Sequence, residues 1–399
     1  MTDNPSTRPV VTLLPGRQKR AEGGHPWIYS NELTMDAAAK ALPPGSLVTV
    51  LKADGKRLGT ATFNPHPLVS ARLISRDATQ RIDREFLVKR VKRALALRER
   101  LVNAPCYRLI HAEADGLPGL IVDRYGPYLV CQINTAGMAL LEGDLIEALD
   151  QVLEPEAIFL RNDTPAREAE GLELEQRFAK GSISGPIEIT ENGLFFQADP
   201  VGGQKTGWFF DQRENRAFVA SLAQGGRVLD LYSYAGGFAV QAAAAGAAEV
   251  VAIDRSEASL ELARASAVRN GVAALCTFRK AEVFAEMERL SDAGERFDVV
   301  IADPPAFAKS KKDAGPALRG YRKLTRMAAS LVAKGGFLFV ASCSHNIEVP
   351  FFADAVRQGL NDADRGARIL RSSGAAADHP VHPSLPESAY LKAQTLSVD

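Results

Sequence analysis

Residues 227–342 alternate short apolar segments with helical segments, and this alternation constrains the fold more than any other feature of the sequence. Short apolar strands separated by amphipathic helices are typical of a parallel sheet that is covered by helices on both faces. The predicted strands span residues 227–231, 250–254, 277–280, 298–303 and 336–342. The sequence therefore predicts an α/β fold with a doubly wound sheet in this part of the chain.

The first 186 residues follow different patterns and predict two smaller domains. Short β-type segments at 47–51, 58–63 and 68–74, separated by turn signals, predict a small β-barrel or sandwich over residues 1–78. A long helix at 79–102 and a second helix at 138–153, with short strands at 120–123, 128–133 and 157–160, predict an α+β domain over residues 79–186. The α/β domain then takes residues 187–399.

The charge of the chain is balanced in total but unevenly distributed. The 399 residues carry 48 basic and 48 acidic side chains, yet the first 110 residues hold 19 basic and 9 acidic ones. A basic module joined to an acidic one is typical of an enzyme that acts on nucleic acid, because neutralising phosphates supplies much of the affinity. Solvated helix faces would produce the same counts and are the alternative interpretation.

The cysteines and the hydropathy indicate the compartment. Cys106, Cys131, Cys276 and Cys343 are scattered and lack the paired spacing of a structural zinc site, so we expect no metal and a reduced, cytoplasmic environment. The sequence has no uninterrupted run of about 18 apolar residues and no signal-peptide pattern. We therefore expect a soluble protein without membrane contact.

Three acidic residues lie at or just after the carboxyl ends of successive predicted strands and indicate a cofactor site. Asp230 lies in the first strand and precedes a turn with two glycines, Gly236 and Gly237, that lets the backbone approach a ligand. The turn matches neither a dinucleotide fingerprint nor a phosphate loop. Asp254, at the end of the second strand, can accept hydrogen bonds from ribose hydroxyls, and Glu282, after the third, can lie near an adenine edge. This pattern predicts S-adenosylmethionine; the alternative is that each acid only caps the next helix.

The fourth predicted strand ends in Asp303-Pro304-Pro305-Ala306-Phe307. The two prolines make this segment rigid, so it can direct the Asp303 carboxylate towards an amino group while Phe307 stacks on a flat ring. These properties suit a nucleobase. A rigid turn with a buried phenylalanine is the alternative.

Cys343 follows the fifth strand, at the same sheet edge as Asp303, between Ser342 and Ser344. A thiolate there can act as a nucleophile. Addition of a thiolate to carbon 6 of a pyrimidine makes carbon 5 reactive towards a methyl sulfonium, whereas methylation of a ring nitrogen needs no such nucleophile. Cys343 therefore favours methylation of a pyrimidine carbon, while we interpret the other three cysteines as buried core residues.

These residues resemble the class I S-adenosylmethionine-dependent methyltransferases, and most closely the RlmI-type family of bacterial large-subunit ribosomal RNA cytosine-5 methyltransferases. The resemblance runs along nearly the whole chain. It rests, in order, on the segments PGRQKRAEGGHPWIYSNEL, YRLIHAEADGLPGLIVDRYG, KTGWFFDQRENR, DLYSYAGGFAV, DPPAF, SCSH and AADHPVHPSLPESAYLK.

The resemblance implies an N-terminal PUA domain of β-barrel type, a central α+β domain, and a Rossmann-like methyltransferase domain with a seven-stranded sheet. It implies cytosine-5 methylation of 23S ribosomal RNA, either naked or in a large-subunit assembly intermediate, and leaves a homodimer open. The implied catalytic residues are Cys343 and Asp303. The implied cofactor-binding residues are Lys205, Thr206, Asp211, Arg213, Asp230, Tyr232, Gly236, Gly237, Asp254, Glu282 and Asp303. The implied substrate-binding residues are Pro304, Pro305 and Phe307.

Two positions depart from the wider RNA cytosine-5 group: Ala306 stands where many relatives have a second cysteine, and Glu282 stands where an aspartate is more usual. Three alternative functions remain. A related branch methylates guanine at position 7 but lacks a cysteine at the position of Cys343. The others are a non-catalytic ribosome-assembly factor and a small-molecule methyltransferase, which would not require the basic N-terminal module.

Overall fold

The structure is a computed structural model that describes residues 3–308 and 310–399. Its contacts divide the chain into two compact units. The first comprises the described residues through Gly185 together with Asp378–Ser388, and the second comprises Pro186–Ala377 with Ala389–Asp399. In the described part of the chain, the helices lack the combination of length and apolar composition needed to cross a bilayer.

The first unit begins with a five-stranded mixed sheet of order β1-β3-β4-β5-β2. Its elements are β1 (Val10–Thr12), α1 (Lys19–Glu22), β2 (Trp27–Tyr29), α2 (Ala37–Lys40), β3 (Ser46–Leu51), β4 (Arg57–Phe63) and β5 (Val69–Ser75). Apolar side chains including Val48, Val50, Ala61 and Phe63 form its core. The β-type character predicted here is confirmed, while β1 and β2, of three residues each, are too short to give a periodic signal.

A second five-stranded sheet, of order β10-β9-β8-β7-β6, follows in the same unit. Its elements are α3 (Arg84–Leu101), β6 (Cys106–His111), β7 (Leu120–Tyr125), β8 (Tyr128–Ile133), α4 (Ala136–Leu140), α5 (Glu142–Leu153), β9 (Ala157–Asn162), α6 (Pro165–Ala169) and β10 (Glu175–Lys180). The predicted α+β character is confirmed.

Two predicted helices differ from the observed ones. The helix predicted from residue 79 begins at Arg84, because the Asp83 side chain accepts a hydrogen bond from the Phe86 backbone N–H and caps the helix there. The helix predicted over 138–153 is two helices, α4 and α5, which meet at Leu141.

The segment Asp378–Ser388, which the sequence analysis places in the third domain, packs in the first unit. The Asp378 carboxylate accepts a hydrogen bond from the Arg108 backbone N–H at 3.0 Å, and the Asp378 carbonyl accepts one from the Arg98 guanidinium at 3.1 Å. Asp378 is fully buried. A buried charge requires such partners, which explains why this segment returns to the first unit.

The second unit contains a seven-stranded sheet of order β15-β14-β13-β16-β17-β19-β18 and a separate hairpin of β11 and β12. Its elements are β11 (Ile187–Glu191), β12 (Leu194–Ala198), α7 (Arg213–Ala220), β13 (Arg227–Leu231), α8 (Gly237–Ala244), β14 (Glu249–Asp254), α9 (Glu257–Arg269), β15 (Cys276–Lys280), α10 (Val283–Asp292), β16 (Phe297–Ala302), α11 (Ala314–Leu331), β17 (Val332–Ser342), α12 (Val349–Asp362), β18 (Ala367–Ser373) and β19 (Lys392–Val398). Short 3-10 helices occur in both units. Those of the first unit are Ser30–Glu32, Ala112–Asp115 and Pro386–Ser388, and those of the second include Phe210–Gln212, Ala273–Leu275 and Lys311–Asp313.

The topology of this sheet positions the candidate site. The first five strands in the sheet order pair in parallel, and β19 pairs antiparallel with both β17 and β18. Helices α10, α11 and α12 contribute to the core cluster on one side, and α7 and α8 contribute to another cluster. The predicted doubly wound sheet with seven strands is confirmed. The strand order reverses between β13 and β16, and the crevice at such a reversal is where α/β sheets bind ligands.

Candidate active site

The turn after β13 has an unusual backbone conformation. Tyr232 and Tyr234 both have positive φ angles, of 64° and 48°, and Gly236 has a φ of 77°. Such angles are costly for residues with a side chain and concentrate at functional sites. At Gly236 a Cβ atom would also lie 2.8 Å from the Cβ of Ala263, so only glycine fits. The predicted cofactor turn is therefore a strained segment at the reversal of strand order.

Asp230 and Asp254 anchor this turn. Asp230 is 1% exposed, and its Oδ2 accepts a hydrogen bond from the Ala239 N–H at 3.0 Å. Burial, assisted by the charges of Asp303 and Asp254, raises the pKa of Asp230 to about 8. Asp254 accepts hydrogen bonds from the backbone N–H groups of Tyr234 at 2.9 Å and Ser256 at 2.8 Å. The two carboxylates thus hold the turns that follow β13 and β14.

Glu282 is placed differently. Its side chain is exposed and accepts a hydrogen bond from the Ala285 N–H at 3.1 Å, so it caps α10. This contact is the one that the helix-cap interpretation predicts. Glu282 nevertheless influences a residue of the turn. Burial raises the pKa of the Tyr232 hydroxyl, and the charge of Glu282 is the second contribution in the same direction.

Asp303 follows β16 directly. Its Oδ2 accepts a hydrogen bond from the Gln212 Nε2 at 2.9 Å, and the Gln212 Oε1 accepts one from the Asn215 Nδ2 at 2.7 Å. Burial, together with the charge of Asp211, raises the pKa of Asp303 to about 7, whereas Arg216 opposes the shift. Asp303 therefore changes its protonation state near neutral pH. Gln212 belongs to the segment KTGWFFDQRENR, but no local pattern there predicts its contact with Asp303.

The proline segment packs against α11. Pro304 is buried and Pro305 is exposed. The ring of Phe307 lies 4.7 Å from the ring of Tyr321, centroid to centroid, and a Cβ atom at Gly320 would lie 3.0 Å from it. Phe307 is half-buried, so the structure partly matches the alternative of a buried phenylalanine while leaving part of its surface accessible.

Cys343 follows β17, at the same sheet edge as Asp303. Burial raises the pKa of the Cys343 thiol, and Asp303 and Asp211 raise it further, whereas the charge of Lys205 lowers it. The thiol is half-buried. Cys106 and Cys131 are buried and Cys276 is half-buried, each in a strand.

The flanking serines of Cys343 build the turn. Both serines are buried; the Ser344 N–H donates to the Ser342 Oγ at 3.3 Å, and the Ser344 Oγ shares a hydrogen bond with the Tyr321 hydroxyl at 3.1 Å. His345 is exposed, and its ring stacks on Tyr390 at 5.1 Å. The serines therefore position the cysteine.

The segment before α7 contributes further charges. Lys205 is exposed, with its ammonium group 4.9 Å from the centre of the Phe209 ring, and Thr206 is buried. The Asp211 Oδ2 accepts a hydrogen bond from the Tyr390 hydroxyl at 2.6 Å. Arg213 Nε lies 3.8 Å from the Glu191 carboxylate, so the structure places this guanidinium beside a buried acid. Lys205 and Asp211 thus join the Cys343 and Asp303 cluster through their charges, and Arg213 joins a cluster around Glu191.

The comparisons with known proteins agree with this geometry. Residues 171–395 match the family described as S-adenosylmethionine-dependent methyltransferase, and residues 11–76 match the PUA-like domain. The methyltransferase SMU.776, solved in complex with SAH, superposes with a TM-score of 0.83 at 21% identity, covering 98% of this chain and 99% of that one. The fold and the matched family together define a methyltransferase that uses S-adenosylmethionine.

Two curated relatives match nearly the whole chain. The protein from Erwinia tasmaniensis is 38% identical over 388 residues, 96% of this chain and 97% of its own length. The protein from Vibrio cholerae is 36% identical over 391 residues, 96% of this chain and 98% of its own length. Both are named ribosomal RNA large subunit methyltransferase I. The chain belongs to their family, so the predicted resemblance, the PUA-like domain and the cofactor are confirmed.

The residues at the turn fit S-adenosylmethionine. The Ser233 Oγ is buried and has no hydrogen-bond partner among the described residues, so a polar ligand can satisfy it. Asp230 and Asp303 are acids with raised pKa values beside this turn, where a sulfonium and an ammonium group would favour their charged forms.

Proposed function

We propose that this protein transfers a methyl group to carbon 5 of a cytosine in 23S ribosomal RNA through a covalent bond between Cys343 and the base. One observation carries the proposal: Cys343 follows β17 in a turn whose neighbouring serines are buried, and it interacts electrostatically with Asp303 after β16. The names of the curated relatives support ribosomal RNA as the substrate.

Within this proposal the turn after β13 would hold the cofactor. Asp230, Tyr232 and the Gly236-Gly237 turn would hold its methionine part, Asp254 its ribose and Glu282 its adenine. Lys205, Thr206, Asp211 and Arg213 belong to the segments that would cover it. Bound S-adenosylmethionine supplies an electrophilic methyl group.

The chain's own residues then perform the substrate chemistry. The Cys343 thiolate adds to carbon 6, forming the S–C6 bond and moving the electrons of the carbon 5–carbon 6 double bond to carbon 5, which takes the methyl group. A base removes the proton from carbon 5, and the S–C6 bond breaks as the double bond returns. We assign this base to Asp303, whose pKa of about 7 lets it accept a proton near neutrality. Pro304, Pro305 and Phe307 hold the cytosine ring.

The experiment uses RNA that contains 5-fluorocytosine, together with the full-length protein and S-adenosylmethionine. Carbon 5 then carries fluorine in place of the proton, so the enzyme stays attached after methyl transfer. We expect a covalent protein–RNA adduct that is resolved by denaturing electrophoresis and lost in Cys343→Ala. Cys276→Ala, which removes another half-buried thiol, is the matched control and should keep the adduct. Full methylation by Cys343→Ala would contradict the mechanism.

Guanine as the methylated base is the second outcome that the experiment distinguishes. In that case ribosomal RNA incubated with the protein would carry the methyl group on guanine, and no adduct would form with 5-fluorocytosine. Mass mapping of the methylated nucleotide separates the two bases directly.

A further inference from the structure

A buried lysine lies beside the turn that carries Cys343. Lys392 is the first residue of β19 and is 4% exposed. In the antiparallel pairing of β17 with β19, Lys392 stands opposite Ser342, the residue before Cys343. The last segment of the chain thus returns a cation to the sheet edge where the nucleophile lies.

The contacts of Lys392 hold the turn on the far side of the cysteine. Its Nζ donates hydrogen bonds to the backbone carbonyl of Ser344 at 2.6 Å and to that of Tyr390 at 3.0 Å. The backbone of Lys392 pairs with Ser342 and its side chain binds Ser344, so the two attachments bracket Cys343. Among the described residues, Lys392 has no carboxylate within ion-pair distance. A buried ammonium group held only by carbonyls is costly, which indicates a role beyond packing.

The charges around Cys343 indicate how Lys392 can affect the ionisation of its thiol. The charges of Asp303 and Asp211 disfavour the Cys343 thiolate, whereas the charge of Lys205, which is exposed to solvent, favours it. Tyr321 lies close enough for Cys343 to raise the pKa of its hydroxyl. Burial lowers the pKa of Lys392 to about 8, and the Cys343 thiolate acts in the opposite direction. Because such interactions are reciprocal, protonated Lys392 favours the Cys343 thiolate, in addition to the larger favourable charge of Lys205.

We propose that Lys392 is a positioning residue for Cys343, which fixes the Ser342–Ser344 turn and stabilises the thiolate with its ammonium charge. The inference deepens the proposed function and rests on Cys343 being its nucleophile. Lys392 does not contact the base in this role; it acts through the cysteine.

The test measures the reactivity of Cys343 in the full-length protein without RNA or cofactor. The protein is alkylated with iodoacetamide over a range of pH, and the rate at Cys343 is followed by peptide mass spectrometry. We expect Lys392→Met to move the inflection of the rate upwards by about one pH unit, which is about a tenfold slower reaction near pH 7. Lys392→Arg keeps the charge and should stay within about threefold of the native rate. Lys334→Met, which removes an exposed lysine near the start of the neighbouring strand β17, is the matched control and should leave the profile unchanged.

An unchanged pH profile in Lys392→Met would overturn the proposal, because a merely structural lysine would alter the melting temperature and not the titration. If Lys392→Met does not fold, the reciprocal measurement decides. In Cys343→Ala, NMR titration of ¹³C-labelled lysine side chains should show Lys392 with a lower pKa than in the native protein, and an equal pKa would refute the coupling.

The two proposals fail separately. Cys343 can show the lysine-dependent titration while 5-fluorocytosine RNA gives no adduct, which would reject cytosine-5 chemistry and retain the coupling. An adduct that forms equally fast with Lys392→Met near pH 7 would retain the proposed function and reject the role of Lys392.

Discussion

Individual residues at the sheet edge show how burial sets the chemistry of this protein. Nothing in the sequence distinguishes the acidity of Asp230 and Asp303 from that of other aspartates. In the structure, burial near other acids raises the pKa of Asp230 to about 8 and that of Asp303 to about 7. Each therefore titrates near neutral pH, where a solvent-exposed aspartate would be fully ionised. Acids with such values cluster at functional sites because proton transfer requires them.

The raised pKa of Asp230 predicts a pH-dependent cost to stability. The pKa in the folded state, about 8, lies above the unfolded value of 3.8, so between these values the folded chain holds a proton that the unfolded chain releases. The free energy of unfolding then falls as pH rises through this window, by at most about 1.4 kcal/mol per pH unit from this residue. We expect Asp230→Asn to remove this decline, so its stability relative to the native protein should increase from pH 5 to pH 8.

Urea unfolding of the protein without cofactor, measured at several pH values across that window, checks the prediction. Asp292→Asn removes an exposed acid at the end of α10 and should follow the native curve. Parallel curves for Asp230→Asn and the native protein would show that Asp230 is ionised in the folded state.

At the scale of single elements, the turn between β13 and α8 depends on one glycine. Gly236 combines a φ of 77° with a Cβ position 2.8 Å from the Ala263 Cβ on α9. A side chain there must both adopt the left-handed region and displace a helix. Glycine is therefore required at position 236 for two reasons, the positive φ angle and the close approach of α9.

Gly236→Ala should consequently destabilise the protein by about 2–4 kcal/mol and weaken the binding of S-adenosylmethionine at least about tenfold. Gly225→Ala is the matched control, because Gly225 has a similar φ of 71° but nothing within 4 Å of the added Cβ. It should cost only about 1–2 kcal/mol and leave binding unchanged. Chemical unfolding and isothermal titration calorimetry measure both quantities. Equal losses in the two variants would mean that the contact with α9 contributes nothing.

On the scale of the whole molecule, the balanced charge conceals a basic N-terminal part. The first 110 residues carry 19 basic and 9 acidic side chains. Among the described residues, several of these basic side chains are exposed and have no acidic partner within 4 Å: Arg17, Lys19, Lys40, Arg57, Lys92, Arg93 and Arg100. These side chains can bind phosphates, although the net charge of the whole chain is zero.

Under the proposed function, binding of ribosomal RNA should therefore weaken steeply with salt. If about six phosphates are contacted, a plot of log affinity against log salt has a slope of about −4. Lys92→Gln with Arg93→Gln should reduce the magnitude of that slope by about 1–2, while Lys334→Gln, which changes an exposed lysine of the methyltransferase region, should not. Filter binding at several salt concentrations provides the slopes. Affinity that does not depend on ionic strength would reject an RNA-binding role for the basic N-terminal part.

The amino-acid sequence by itself determined the class of fold and the line of acids along the strand ends. Strand segments, the glycine turn around Gly236, and the positions of Asp230, Asp254, Asp303 and Cys343 are local patterns, and a parallel sheet brings the ends of its strands to one edge. The sequence also contains the signal for the start of α3, because aspartate is a favoured N-cap residue and Asp83 caps this helix. The apolar periodicity extends to residues before Asp83, so it predicts an earlier start.

Only the tertiary structure decided which distant side chains meet those residues. Gln212 reaches Asp303 across 91 positions, and Lys392 reaches the Ser344 carbonyl across 48. These partners come from β19 and from the segment before α7, whose sequences carry no periodicity that specifies which strand they adjoin. Burial is likewise a property of the assembled core, so the raised pKa values of Asp230 and Asp303, and the enclosure of Lys392 beside Cys343, follow from packing over long sequence separations.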